Sequence, residues 1–111
     1  MKFDVFQINF TDEQYDLINN SEVRPDFYLE YLDTNFRPTA EAIVKAKKQY
    51  QKVATIEANG FEDVFEIGNI GPESKITRIT QMHSVSVGDV IVREDGVTKF
   101  VAPFGFESVV F

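Results

Sequence analysis

His83-Ser84-Val85-Ser86-Val87-Gly88-Asp89-Val90-Ile91-Val92 leads into Glu94-Asp95-Gly96 and then Thr98-Lys99-Phe100-Val101. Two runs rich in β-branched residues flank an Asp-Gly pair, and glycine accepts positive φ without strain. The stretch therefore predicts a β-hairpin turning at Asp95-Gly96. Gly88-Asp89 predicts a further turn, in which glycine supplies the unusual backbone angles and the aspartate accepts from local amides. Pro103 ends the second arm, and residues 106–110 predict a last strand.

Working outward, residues 2–8 predict an interior strand, with Phe3, Val5 and Gln7 on one side and Asp4, Phe6 and Ile8 on the other. Thr11 and Gln14 have capping-box spacing and open a short helix to about residue 19, which Asn19-Asn20-Ser21 closes. Pro25 suits a first helical position, followed by a core stripe of Phe27, Tyr28, Tyr31 and Leu32. Residues 33–37 predict a break. Pro38 or Thr39 opens a third helix, with Ile43, Ala46 and Tyr50 inward and lysines outward. Residues 51–58 predict a strand. Asn59 and Glu62 resemble a second capping box, and the helix over 61–67 should bury Phe61, Val64 and Phe65 before Gly68 stops it. In residues 74–81, Ile76 and Ile79 fit a helical turn, the first reading, while their alternation with Thr77 and Thr80 fits a strand.

The fold class expected is α+β. One globular domain spans residues 1–111, with an antiparallel, curved sheet of four to five strands and short helices on one face. A small barrel-like C-terminal sheet is the variant.

Eleven Phe and four Tyr with no Trp imply an aromatic core. Cysteine is absent, which excludes disulfides and thiolate metal sites and suits a reducing cytoplasm. No apolar run reaches the roughly 18–20 residues that span a bilayer, and no signal peptide is expected. The net charge of −7 opposes direct nucleic-acid binding, which rests on Lys and Arg displacing counterions. Residues 1–33 hold eight acidic and two basic side chains. Lys45, Lys47, Lys48 and Lys52 form the one basic cluster.

The run from His83 to Val92, the acidic-Gly turn, Lys99-Phe100-Val101-Ala102 and Phe104-Gly105-Phe106 together resemble the C-terminal signature of the YodL-like family. Phe3-Asp4-Val5-Phe6-Gln7-Ile8 resembles that family's first strand. Residues 53–65 are similar to a segment of small acidic proteins of tailed phages. The resemblance covers about half the chain. It implies a phage or mobile-element setting and carries over no catalytic residue.

The chemistry-bearing residues lack partners. His83 is the only histidine, and a structural role at the strand entry explains it more simply than catalysis or metal binding. Ser84 and Ser86 lie outside any Gly-x-Ser-x-Gly elbow, and hydrogen bonding to a nearby turn accounts for them. Asp89 has one alternative, contact with a ligand at a barrel rim. Glu57, Glu62, Asp63 and Glu66 read as a solvated helix face rather than a metal cluster. Gly68 to Pro72 lacks the phosphate-loop lysine pattern. Phe104 and Phe106 fit either core or a binding patch, with core the first reading because Phe is so often buried.

These readings predict a non-catalytic, cofactor-free acidic protein, a phage-encoded accessory in the host cytoplasm. Its partner is a host or phage protein with a basic surface, which it engages or inhibits without touching nucleic acid or membrane. The predicted protein-binding residues are Asp12, Glu13, Asp16, Phe104 and Phe106. The alternative is a small-barrel nucleic-acid-binding domain that uses Lys45 to Lys52.

Overall fold

In the computed structural model, residues 1–20, 22 and 24–111 are described. Six strands form one antiparallel sheet: β1 (Lys2–Ile8), β2 (Tyr50–Glu57), β3 (Ile76–Arg78), β4 (Val90–Arg93), β5 (Thr98–Val101) and β6 (Phe106–Ser108). Their spatial order is β3-β2-β1-β4-β5-β6. The helices are α1 (Asp12–Asn20), α2 (Asp26–Phe36), α3 (Ala40–Lys45) and α4 (Phe61–Ile70). The α+β class and the antiparallel sheet are as the sequence predicts, with six strands in place of four to five. β3 and β6 form open edges, so the sheet does not close into a barrel.

β1 sits at the centre, paired with β2 on one side and β4 on the other. Its alternation explains why. Phe3, Val5 and Gln7 have no exposed surface and face one layer. Phe6 pairs with Val90, which pairs with Phe100, placing these three side chains on the opposite face. Two cores result. Phe3, Val5, Ile56 and Ile91 pack against Phe61, Val64 and Ile67 of α4. Val90 and Phe100 pack against Ile43 of α3 and against Val109. The helices are thus divided between the two faces rather than gathered on one. Each fully buried aliphatic or aromatic side chain contributes about 1.5–3 kcal/mol.

Val5 pairs with Ala54 and Phe6 with Lys52, leaving Val53 as a bulge in β2. Its carbonyl accepts from the N–H groups of Ile79 and Thr80 at 2.8 and 3.3 Å, so the bulge anchors the segment after β3.

Local chemistry sets several boundaries. Thr11 and Gln14 form the reciprocal capping box, at 3.2 and 2.8 Å. The expected closure of this helix includes Ser21, which lies outside the described residues. Pro25 is the residue before α2 rather than its first position. α2 continues to Phe36 through the expected break, because Thr34 is buried and returns its hydroxyl proton to the Tyr31 carbonyl at 2.7 Å. Thr39 caps α3 by accepting from Ala42 N–H at 3.0 Å.

Three further expectations are corrected. The Asn59–Glu62 capping box does not form; the Asp63 carboxylate accepts from Asn59 N–H instead, at 2.9 Å. α4 does not stop at Gly68 but runs to Ile70, ahead of Gly71-Pro72, where proline cannot continue a helix. Gly68 is needed for packing, because a Cβ there would overlap the Val85 side chain. Within α4, Phe61 and Val64 are buried as expected, but Phe65 is 39 % exposed and Ile67 is the third buried residue. Within residues 74–81, Ile76–Arg78 form β3 directly after a 3-10 turn at Glu73–Lys75, so the strand reading holds there and the helical turn does not. The last strand is shorter than expected, ending at Ser108.

The β4–β5 hairpin turns where the sequence places it, with Gly96 at φ +95°. Arg93 clamps Asp95 through two bonds of 2.8 Å and holds its carboxyl down at about 2. Gly96→Val forces a β-branched residue into positive φ and should destabilise the fold by about 1–3 kcal/mol in urea melts. Gly68→Ala should cost a similar 1–3 kcal/mol through overpacking alone. An unchanged midpoint for either variant would sink the corresponding assignment.

Candidate functional site

Gln7 is the starting residue. It continues the buried alternation Phe3, Val5, Gln7 and carries an amide into the core with 0 % exposure. Its Nε2 donates to the His83 carbonyl and to Asp89 Oδ2, both at 2.9 Å. Its Oε1 accepts from His83 N–H at 3.1 Å. A polar residue on an apolar strand face was the signal available in the sequence, since buried amides need partners.

The partners lie in the turn that the sequence singled out. Gly88 takes φ +92°, and a Cβ there would overlap the Thr34 carbonyl of α2. Its N–H donates to Val101 O at 2.8 Å, and its carbonyl accepts from the Tyr50 hydroxyl at 2.6 Å. Asp89 Oδ2 accepts from Ser86 N–H at 3.0 Å, as expected of a turn aspartate. The unexpected finding is that Asp89 is only 5 % exposed.

Burial therefore dominates its titration. It pushes the carboxyl up to about 7, against the Ser86 N–H, nearby His83 and the Gln7 amide, which favour the charged form. The Tyr50 hydroxyl is likewise raised well above its usual value, chiefly by burial, with Thr34 opposing and the Asp89 charge adding to the shift.

His83 has the structural role expected of it. Its main chain is held by Gln7, and its ring Nδ1 lies 2.8 Å from the Ser84 carbonyl. A carbonyl only accepts, so that nitrogen carries a proton. Ser84 and Ser86 serve the turn through their backbones; among the described residues neither hydroxyl makes a hydrogen bond.

A cavity of about 30 Å³ adjoins Asp89, walled by Tyr31, Thr34, Asn35, Tyr50 and His83. It abuts a cleft of about 340 Å³ through shared walls at Ile8, Tyr31 and His83. Phe10, Tyr15 and Tyr28 line that cleft, and Phe10 makes edge contacts with Tyr15 and Tyr31 at 5.6 and 4.8 Å.

The predicted interface residues fall in two places. Asp12, Glu13 and Asp16 are exposed on α1, a helix with no buried residue. Phe104 stands 96 % exposed in the β5–β6 turn, against the core reading. Phe106 is half-buried, with its ring 5.9 Å from Phe61, and packs against the α4 core. It also lines a shallow cleft of about 290 Å³ with Phe65, Val87 and Pro103. Of the lysines, Lys52 pairs with Asp4 at 3.3 Å, and Lys47 lies over the Phe111 ring. Among the described residues no three His, Asp or Glu side chains converge as a metal cluster, and no helix is long and apolar enough to cross a membrane.

No family model, curated protein or solved structure matches the chain.

A raised carboxyl favours its neutral form in the folded state. Asp89 therefore supports folding fully at acid pH, and its support is lost as pH climbs from about 4 to about 7. Asp89→Asn keeps an oxygen for the Gln7 and Ser86 donors and removes the charge. Its stability relative to wild type should rise across that window by about 4 kcal/mol at most, from a shift of roughly three units. Parallel stability curves for the two proteins from pH 4 to 8 would refute the buried, shifted carboxyl.

Proposed function

We propose that this is a non-catalytic acidic binding protein that engages a basic surface on another protein. The observation behind this reading is the outer face of α1. Asp12, Glu13 and Asp16 are exposed there, and among the described residues none of them forms an ion pair. Leu17, 52 % exposed, lies between them and shares a shallow depression with Glu13, Asp16 and Asn20. Carboxylates around an exposed aliphatic side chain suit a partner that presents Lys or Arg around an apolar contact.

The setting proposed is a phage or mobile element, in keeping with the resemblance, with a host or phage protein as the partner. Inhibition of a nucleic-acid-binding protein by charge mimicry is the sharper form of the same reading. Phe104 offers a second apolar contact on the β5–β6 turn.

The test begins with affinity capture of the partner and continues with kinetics on the purified pair. Reversing Asp12, Glu13 and Asp16 to Lys should slow association about ten-fold at low salt and flatten its salt dependence. Asp12 and Glu13 lie in the first turn of α1, so the reversal costs about 1–2 kcal/mol through the helix dipole, and the fold survives. Wild-type association rates in the triple variant would rule out this face as the interface. A complementary substitution, Phe104→Ala, should weaken binding without lowering the melting temperature, since the ring buries almost nothing in the free protein.

A further inference from the structure

We propose that the cavity at Asp89, with the aromatic cleft it abuts, is a binding site for a primary alkylammonium group, carried by a small amine or by a lysine side chain. The site stands whether or not the outer face of α1 is an interface.

The first argument is the hydrogen-bond inventory. Asp89 Oδ2 takes the bonds from Gln7 and Ser86, and among the described residues Oδ1 accepts none. Three of the groups around it have committed a proton elsewhere, while the Tyr31 and Ser86 hydroxyls make no hydrogen bond among the described residues. The Tyr50 hydroxyl donates to Gly88 O, the Thr34 hydroxyl to Tyr31 O, and the His83 ring Nδ1 to Ser84 O. Each hydroxyl retains a lone pair. Asn35 Oδ1 also lies close to Gly88. Asp89 Oδ1 and these lone pairs are acceptors facing one small space. An ammonium group has three donors and no acceptor, so it can bond several of them at once and bring the charge that the carboxylate lacks.

Size is the second argument. The cavity of about 30 Å³ holds one or two water-sized groups, which admits an ammonium head. A planar guanidinium with five donors needs a wider slot. The cleft of about 340 Å³ then receives the alkyl chain between Phe10, Tyr15, Tyr28 and Tyr31. Aromatic walls suit a cationic ligand, and the Arg24 guanidinium already lies 5.6 Å from the Tyr28 ring.

Charge is the third. Tyr31 of α2, Tyr50 of β2 and His83 of the 79–89 segment are the titratable groups facing Asp89, and no Lys or Arg lines either space among the described residues. An ionised carboxylate buried without a cation is costly, and an ammonium ligand removes that penalty. Binding should strengthen as Asp89 ionises.

NMR titration of the whole protein at pH 8 with pentylammonium, pentanol, pentylguanidinium and Nα-acetyl-lysine methylamide tests the site. Pentylammonium should give saturable shifts at His83 and Tyr31, at least ten-fold tighter than pentanol or pentylguanidinium. Saturating pentylammonium should also move the Asp89 carboxyl ¹³C titration to lower pH by at least one unit, a readout that needs no variant. Asp89→Asn should abolish the preference for pentylammonium over pentanol. Binding of the lysine derivative as well would identify a protein side chain as an admissible source, and its failure beside pentylammonium would restrict the site to small amines. Equal affinity for pentanol, an unmoved Asp89 titration or no saturable shift at millimolar pentylammonium would each overturn the proposal and leave a cavity that holds water only.

Discussion

Gln7 lies next to the last residue of the central strand with no exposed surface, where an unsatisfied amide would cost about 1–3 kcal/mol. Its three hydrogen bonds all reach the 83–89 segment, more than seventy residues away in sequence. That segment has no regular secondary structure of its own, yet it carries Val85 into one core and Gly88 against α2. The Gln7 amide thus replaces the ladder that a strand would have supplied. Through it the centre of the sheet, the turn before β4 and the C-terminal end of α2 share one set of contacts. Removing either partner leaves the other buried and unpaired, which is why such a network acts as a unit.

The elements legible in the sequence were those whose signals are local. The Thr11–Gln14 box, the Asp95-Gly96 hairpin and the Phe3-Val5-Gln7 alternation each rest on chemistry within a few residues, and each appears in the structure. The failures have a common cause in packing at a distance. Gly68 has the local features of a helix stop, but Val85 requires a residue without Cβ there, and the helix passes through it. Thr34 looks like part of a break until its burial against Gly88 is known. β3 gains its identity from pairing with β2, not from its own three residues. At the candidate site, the Gly88-Asp89 turn was readable, whereas the burial of Asp89 depends on Tyr50 and α2, which no spacing rule links to it.

Both proposed sites use α1, and they use opposite sides of it. Tyr15, Ile18 and Asn19 line the aromatic cleft, while Asp16 and Leu17 turn outward. No residue of α1 is fully buried, so the helix is held by ring edges such as Phe10–Tyr15 rather than by a packed stripe. Few buried apolar contacts are the mark of a segment of low local stability. Occupation of the cleft would steady α1 and fix the orientation of the outer carboxylates, coupling the two faces through order alone.

The strand order has a consequence for how the chain comes to be folded. β1 is the first strand synthesised and the central one, yet its neighbours are residues 50–57 and 90–93. At roughly 5–20 residues per second, both of its edges stay unpaired for several seconds on the ribosome. During that interval Phe3, Val5, Phe6 and Ile8 form a short apolar segment with strand propensity and open hydrogen-bonding edges, the type of sequence that joins other chains. Closing the sheet then requires two long loops at once, so folding is slow for a protein of this length. Asp12, Glu13 and Asp16, which follow β1, are charges of the kind that oppose such association.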